Sequence, residues 1–191
     1  MTDSDWRSRR WDATHQRIYR AAMELFAERG FERVNVGQIA AGGGVSVPTF
    51  YAHYPSKEHI VMQLPTTEQM VALLSTQPRE LPLRDRLVGL ASVWLALWGP
   101  EDRDDMLARW RIIASTPALR TRAAEFERTT AEMIAGALAG ATDGPVRQSD
   151  VILVNAYMAA FTSALLNWAD GHGERKIEEH VDEAFETLQE L

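Results

Sequence analysis

Thr49, Tyr51, His53 and Lys57 stand close together and offer a hydroxyl, a phenol, an imidazole and an ammonium group. Presented outward from a helix, such groups suit a phosphate backbone and the edges of bases. The neighbouring residues predict that helix. Ser46 precedes it, and a serine oxygen can accept from the free N–H groups of a first turn, so a helix from Val47 to about Tyr54 is expected. Phe50 and Tyr54 are four apart, share a face and can pack inward. Thr49, Tyr51, His53 and Lys57 are then left to point outward. Ser56 reads as the cap of the next helix, with Lys57 at its start, where the helix dipole also favours an anion.

These side chains need a frame, and the upstream sequence supplies one. Ile18, Ala21, Ala22, Leu25 and Phe26 recur at helical spacing and end at Arg29-Gly30, an amphipathic helix closed by glycine. Asn35 can cap a short second helix from Val36 to about Ala41, with Ile39 as its core residue. Gly42-Gly43-Gly44 forces a turn, and Val45 follows as a plug between the short helices. Helix, tight glycine turn and helix make a helix-turn-helix, whose second helix enters the major groove.

The run from Arg17 to Phe31 resembles the opening of the tetracycline-repressor (TetR) family. So do Ile39-Ala40 with Gly44-Val45-Ser46, then Thr49-Phe50-Tyr51, then Ser56-Lys57-Glu58. Pro48-Thr49-Phe50-Tyr51-Ala52-His53 is particularly similar to the recognition helix of the tetracycline repressor. The resemblance covers about the first third of the chain, since its motifs all lie in that region. It implies a DNA-binding regulator, a repressor rather than an activator, that pairs as a homodimer on a double-stranded operator and answers a small-molecule effector. By this resemblance Asn35, Ser46, Val47, Pro48, Thr49, Tyr51, Ala52, His53 and Lys57 are candidate DNA-contact residues. Thr49, Tyr51 and Lys57 would hold phosphates. His53 and Val47-Pro48 would lie nearest the bases, with an apolar ring at Pro48 for a thymine methyl. Two departures stand out. Gly43 occupies a position where the family usually has alanine, and Pro48 one where glycine is more frequent. Three successive glycines raise the entropy lost on folding.

Net charge is −7, which at first argues against nucleic acid. The distribution reverses that inference. Residues 1–60 hold eight Arg and Lys against seven Asp and Glu, and residues 61–191 hold twelve against twenty. Arg7, Arg9 and Arg10 cluster ahead of the first helix, in an arm that could reach phosphates or a minor groove. The same composition suits a solvated tail. The absence of cysteine excludes disulfides and thiolate metal sites and fits a reducing compartment. The longest apolar stretch, Val151 to Ala169, is interrupted by Asn155, Thr162, Ser163 and Asn167, so no membrane partner is expected and a cytoplasmic protein is the economical reading.

The whole chain reads as all-α, with about nine helices in two domains. Residues 1–60 form the helix-turn-helix domain, whose three helices run from about 12 to 54. Residues 61–191 form a helical domain. A fourth helix is expected from Ser56 into the middle seventies, kinked or broken near Leu64 by Pro65, with Thr66 or Thr67 able to cap a restart. Further helices are expected at about 83–98, 101–115, from Pro117 to near Gly140, 147–170, and over most of the remainder.

The second domain holds Trp94, Trp98, Trp110 and Trp168, with Met106, Phe126, Tyr157 and Phe161. Aromatic and methionine walls make adaptable apolar pockets, though aromatics at helical spacing are often simply core. The family resemblance implies an effector cavity here, so these eight residues are candidate lining for a small, largely apolar molecule. Ala156, Ala159, Ala160, Ser163 and Ala164 would let another helix approach closely. Ile177, Val181, Ala184, Phe185 and Leu188 form one apolar stripe on the last helix. Both features suit packing within the chain, and the resemblance favours a dimer interface through the last two helices.

Enzyme readings find little support. There is no cysteine nucleophile, no HExxH, no Glu-x-x-His pair and no P-loop. His172, His180, Glu178 and Glu179 read as solvated surface rather than a metal site. No cofactor is expected. The competing class is a helical small-molecule-binding or enzymatic protein in which the helix-turn-helix is only structural.

Overall fold

The computed structural model describes residues 3–63, 65–140 and 147–190. Those residues form ten α-helices and one short 3-10 turn, and fall into two compact units, Met1–Gln63 and Leu64–Leu191.

In the first unit, α1 runs over Asp3–Arg29, a 3-10 turn over Phe31–Arg33, α2 over Val36–Gly42, α3 over Val47–His53 and α4 over Glu58–Val61. α1 starts well before the expected position. Nothing between Asp3 and Thr14 breaks a helix, so the predicted arginine arm is instead the first turns of α1. Ile18, Ala22, Phe26, Ile39 and Phe50 are buried as the core of this unit. The chain leaves α1 through Gly30 at φ 79°, in the left-handed region that glycine reaches without a Cβ clash. Asn35 caps α2 reciprocally: its Oδ1 accepts from the Gln38 N–H at 3.0 Å, while the Asn35 N–H donates to Gln38 Oε1 at 2.9 Å.

The triple glycine has a steric reason. A Cβ on Gly43 would lie 3.3 Å from the Ile18 Cα, so a side chain there would require α1 to give slightly. Gly44 supplies the left-handed turn at φ 64°.

In the second unit, α5 spans Thr67–Ser75, α6 Leu83–Ala96, α7 Pro100–Ser115, α8 Pro117–Gly140, α9 Gln148–Asp170 and α10 Ile177–Glu190. The expected long fourth helix is in fact two. α4 ends at Val61, and α5 restarts behind Pro65 with Thr66 as cap. Thr66 Oγ1 accepts from the Gln69 N–H, and Gln69 Oε1 accepts in return from the Thr66 N–H. Proline denies the backbone bond that would join the halves, and this capping box stabilises a fresh start. The split raises the count from nine to ten. Ser56 does not cap backbone N–H groups as expected; its hydroxyl donates to Glu58 Oε2 and pairs with His59 Nδ1. The expected loop through residues 141–145 and the expected kink at Leu64 lie outside the described residues.

α9 is the central helix of this unit, contacting α6, α7, α8 and α10. It is long and apolar enough by length and composition to cross a membrane. In this fold its Val154, Tyr157, Leu165 and Trp168 are buried in the core. The apolar stripe of α10 is also used within the chain: Ile177, Val181 and Phe185 are buried in the same cluster.

Candidate nucleic-acid interface and effector region

α3 begins at Ser46, whose Oγ accepts from the Thr49 N–H at 3.2 Å and shares a 2.8 Å hydrogen bond with Thr49 Oγ1. Pro48 sits in the first turn, where no intrahelical donor is lost. Phe50 is fully buried and Tyr54 nearly so, which fixes the inward face. The outward face is Val47, Pro48, Tyr51 and Ala52. Tyr51 is 53% exposed, so its phenol is presented to solvent rather than packed on α1. A helix buried on one side and offering an apolar pair, a phenol and a small residue on the other can lie in a groove. There it can touch thymine methyls and donate to phosphates.

Lys57 and His53 are placed differently from the expectation. Lys57 does not point outward. Its Nζ donates to the Phe31 and Val34 carbonyls, each at 2.8 Å, and lies 4.3 Å from the Phe31 ring centroid. The Phe31 carbonyl also accepts from the Val34 N–H at 3.4 Å, and the ammonium adds a charged donor to it and to the Val34 carbonyl while its charge faces an aromatic ring. Lys57 therefore fastens the chain after α3 to the turn before α2.

His53 is only half-exposed and stacks on Trp11, ring centroids 3.8 Å apart and planes 30° apart. Its Nδ1 is buried without a hydrogen-bond partner among the described residues. Burial holds its pKa below the ordinary histidine value. It joins α3 to α1 rather than lying free over the bases. Asn35 and Ser46 serve as caps, with their acceptor oxygens turned to backbone N–H groups. Arg9 and Arg10 project from helical backbone on α1 and are exposed. Arg7 also belongs to α1, but its side chain lies outside the described residues.

The residues overlooked in sequence are Trp11 and His15. His15 stacks on Tyr54 at 4.2 Å and lies 5.7 Å from the His53 ring. The Tyr54 hydroxyl donates a long 3.4 Å bond to the His15 carbonyl. Trp11, His15, Ile18 and Ala22 continue one stripe of α1 at spacings of four, three and four. That periodicity was the available signal.

Comparison with known proteins bears on both units. Residues 18–64 match the model for bacterial regulatory proteins of the tetR family, and residues 88–191, more than half of the chain, match the MftR C-terminal domain. The mycofactocin biosynthesis transcriptional regulator MftR of Mycobacterium tuberculosis is 30% identical over 71% of this chain and 69% of its own length. The chain belongs to the TetR family of bacterial transcriptional regulators. The regulator TcmR of Streptomyces glaucescens is 29% identical over 66% of this chain, an alignment spanning 58% of TcmR. Among solved structures, NalD of Pseudomonas aeruginosa, a repressor of an efflux pump, shares the fold with a TM-score of 0.58 at 21% identity. That match covers 94% of this chain and 96% of NalD.

The second unit of this TetR-family chain brings most of the expected aromatic residues together. Trp94 meets Trp98 edge-on at 5.2 Å and Phe161 at 5.5 Å. Phe185, from the apolar stripe of the last helix, joins Tyr157 at 4.9 Å and Phe161 at 6.4 Å. Met106, Tyr157 and Trp168 are buried, and Trp110 packs on the cluster half-buried. Phe126 on α8 is half-buried and is not among the residues packed on that cluster. Burial raises the pKa of the Tyr157 hydroxyl, against an opposing pull from Gln189.

One buried charge was not expected. Arg109 on α7 is 5% exposed, among the apolar residues of this unit. Asn155 is exposed and donates to the Val151 carbonyl of its own helix. Glu178 pairs with Arg103 at 2.5 Å and Glu179 with Arg175 at 3.0 Å. Among the described residues, no group of three or more metal-ligating side chains comes together.

Proposed function

We propose that this chain is a repressor that binds a pseudo-palindromic operator as a homodimer and is released by a small, largely apolar effector. The observation that carries the reading is the division of α3: Phe50 and Tyr54 buried behind, Val47, Pro48, Tyr51 and Ala52 exposed in front. Thr49 and Tyr51 are assigned to phosphates, Val47 and Pro48 to base edges. Arg9 and Arg10 add charge on the same α1 that carries Trp11. Symmetry of the dimer would be mirrored in paired half-sites.

The dimer is assigned mainly to the outer side of α9, because α10 buries its apolar stripe within the chain. Ile152 is 60% exposed there, with Asn155, Ala159 and Ser163 exposed beyond it. The effector is assigned to the aromatic residues around Trp94, Trp98 and Phe161. It can release DNA only through a difference in affinity between the DNA-competent and released forms.

Duplex-DNA selection followed by binding at several salt concentrations tests the reading. A palindromic consensus with a steep salt dependence is expected, with a dimer by light scattering at micromolar concentration. A monomer at that concentration, or no duplex binding at low salt, would refute it. Tyr51→Ala should weaken operator binding without changing the melting temperature, because an exposed side chain adds little to stability.

A further inference from the structure

Arg109 is the charged side chain buried in the second unit, and its surroundings are specific. Its Nε donates to Asp105 at 3.1 Å, one turn earlier on α7. The side chain is 6% exposed, whereas Asp105 is 40% exposed and lies toward water. The bond to Asp105 uses Nε, and the guanidinium carries two further nitrogens that can donate. The guanidinium carbon is 6.0 Å from the Trp98 ring centroid. Trp98 Nε1 is itself buried with no partner among the described residues. An indole N–H can only donate, and so can a guanidinium. Two donors of this kind, side by side in an apolar setting, are complementary to an acceptor. A guanidinium fork suits a carboxylate best, because two parallel N–H groups meet two oxygens.

The nearby charges are accounted for. Arg103 donates from Nε to the Trp98 carbonyl and from Nη2 to the Leu95 carbonyl, and pairs with Glu178. Arg103 thereby fixes the backbone of Trp98. Glu178 Oε2 is also buried without a partner among the described residues, on a carboxylate whose pKa Arg103 holds below the ordinary range. Beside Trp98, Trp94 meets Phe161 edge-on, an aromatic wall next to the donors.

We propose that Arg109 and Trp98 Nε1 read the carboxylate of an amphipathic effector whose apolar body lies against Trp94 and Phe161. This rests on the assignment of the effector to this unit and adds the chemical class of its head. A buried arginine is costly to keep even with one carboxylate partner at the surface, and reading an anion is a function that would retain it.

Calorimetry on the full chain with three probes sharing one arene tests this: naphthoate, naphthalenemethanol and naphthylmethylammonium. Naphthoate should bind at least ~10-fold more tightly than the alcohol, the worth of charge-assisted hydrogen bonds to a carboxylate. Arg109→Met should erase that preference, costing naphthoate more affinity than the alcohol. Trp98→Phe keeps the ring and loses the donor. It should cost naphthoate roughly 5-fold, one hydrogen bond's worth, and it carries the test if Arg109→Met does not fold. Equal binding of acid and alcohol, or no binding of naphthoate, would overturn the proposal. Tightest binding by the ammonium probe would also overturn it, and would point to Glu178 instead. Operator binding is measured separately. A carboxylate preference without operator release leaves the head reader standing and removes the switching model.

Discussion

The indole of Trp11 lies on the imidazole of His53, centroids 3.8 Å apart, and so ties the end of the recognition helix to the first helix of the chain. The contact continues through His15 to Tyr54, forming an aromatic seam along α1 and α3. α3 is two turns long and cannot be stable alone. Its orientation is set by this seam and by Phe50.

Trp11→Ala should therefore destabilise the first unit by about 1 kcal/mol, the usual worth of an aromatic pair. Exposing the ring should also bring the His53 pKa back up toward its ordinary value. Denaturant melts and an NMR titration of the histidines measure the two effects. An unmoved His53 pKa would show that Trp11 is not what keeps water from it.

The pH dependence follows from two depressed histidines. His15 is held low chiefly by burial and further by the nearby His53, against an opposing pull from Asp12; His53 is held low by burial. In the unfolded chain both should titrate at about 6.5. As pH falls, the unfolded chain takes up protons first, so stability is complete above that value and declines below it. Melting temperatures from pH 8 to pH 5, taken as a conventional titration range around that pKa, should fall on the acid side. Replacing both histidines by glutamine should flatten that decline.

Lys57→Met should cost stability, about 1–3 kcal/mol for two hydrogen bonds from a charged donor. The salt slope of operator binding should stay the same, because the ammonium is engaged with Phe31 and Val34. A slope reduced by about 0.9 would restore Lys57 to the phosphate contacts.

Gly44→Ala should destabilise by about 1 kcal/mol, since φ 64° is a conformation an L-residue adopts at a cost. The space around it is open, so the cost is conformational rather than steric. At Gly43 the opposite holds: alanine there must push on the Ile18 backbone. Thermal melts of the two variants, with operator affinity, separate the effects; equal stability of Gly44→Ala and the parent chain would contradict the turn assignment.

The sequence by itself determined the helices and where most of them stop. Asn35 with Gln38, Ser46 with Thr49, and Gly30 after α1 act over a few residues, so their outcome is written locally. It also determined the inward pair Phe50 and Tyr54. Tertiary structure decided where the longer polar side chains went. Lys57 turned to carbonyls 26 and 23 residues earlier in the chain, because two carbonyls beside an aromatic face outcompeted solvent for its ammonium. His53 turned to Trp11 across 42 positions of sequence. The burial of Arg109 and the use of the α10 stripe within the chain were likewise decided by which helices met. Spacing shows which residues share a face, but the partner of that face is fixed only when distant segments pack.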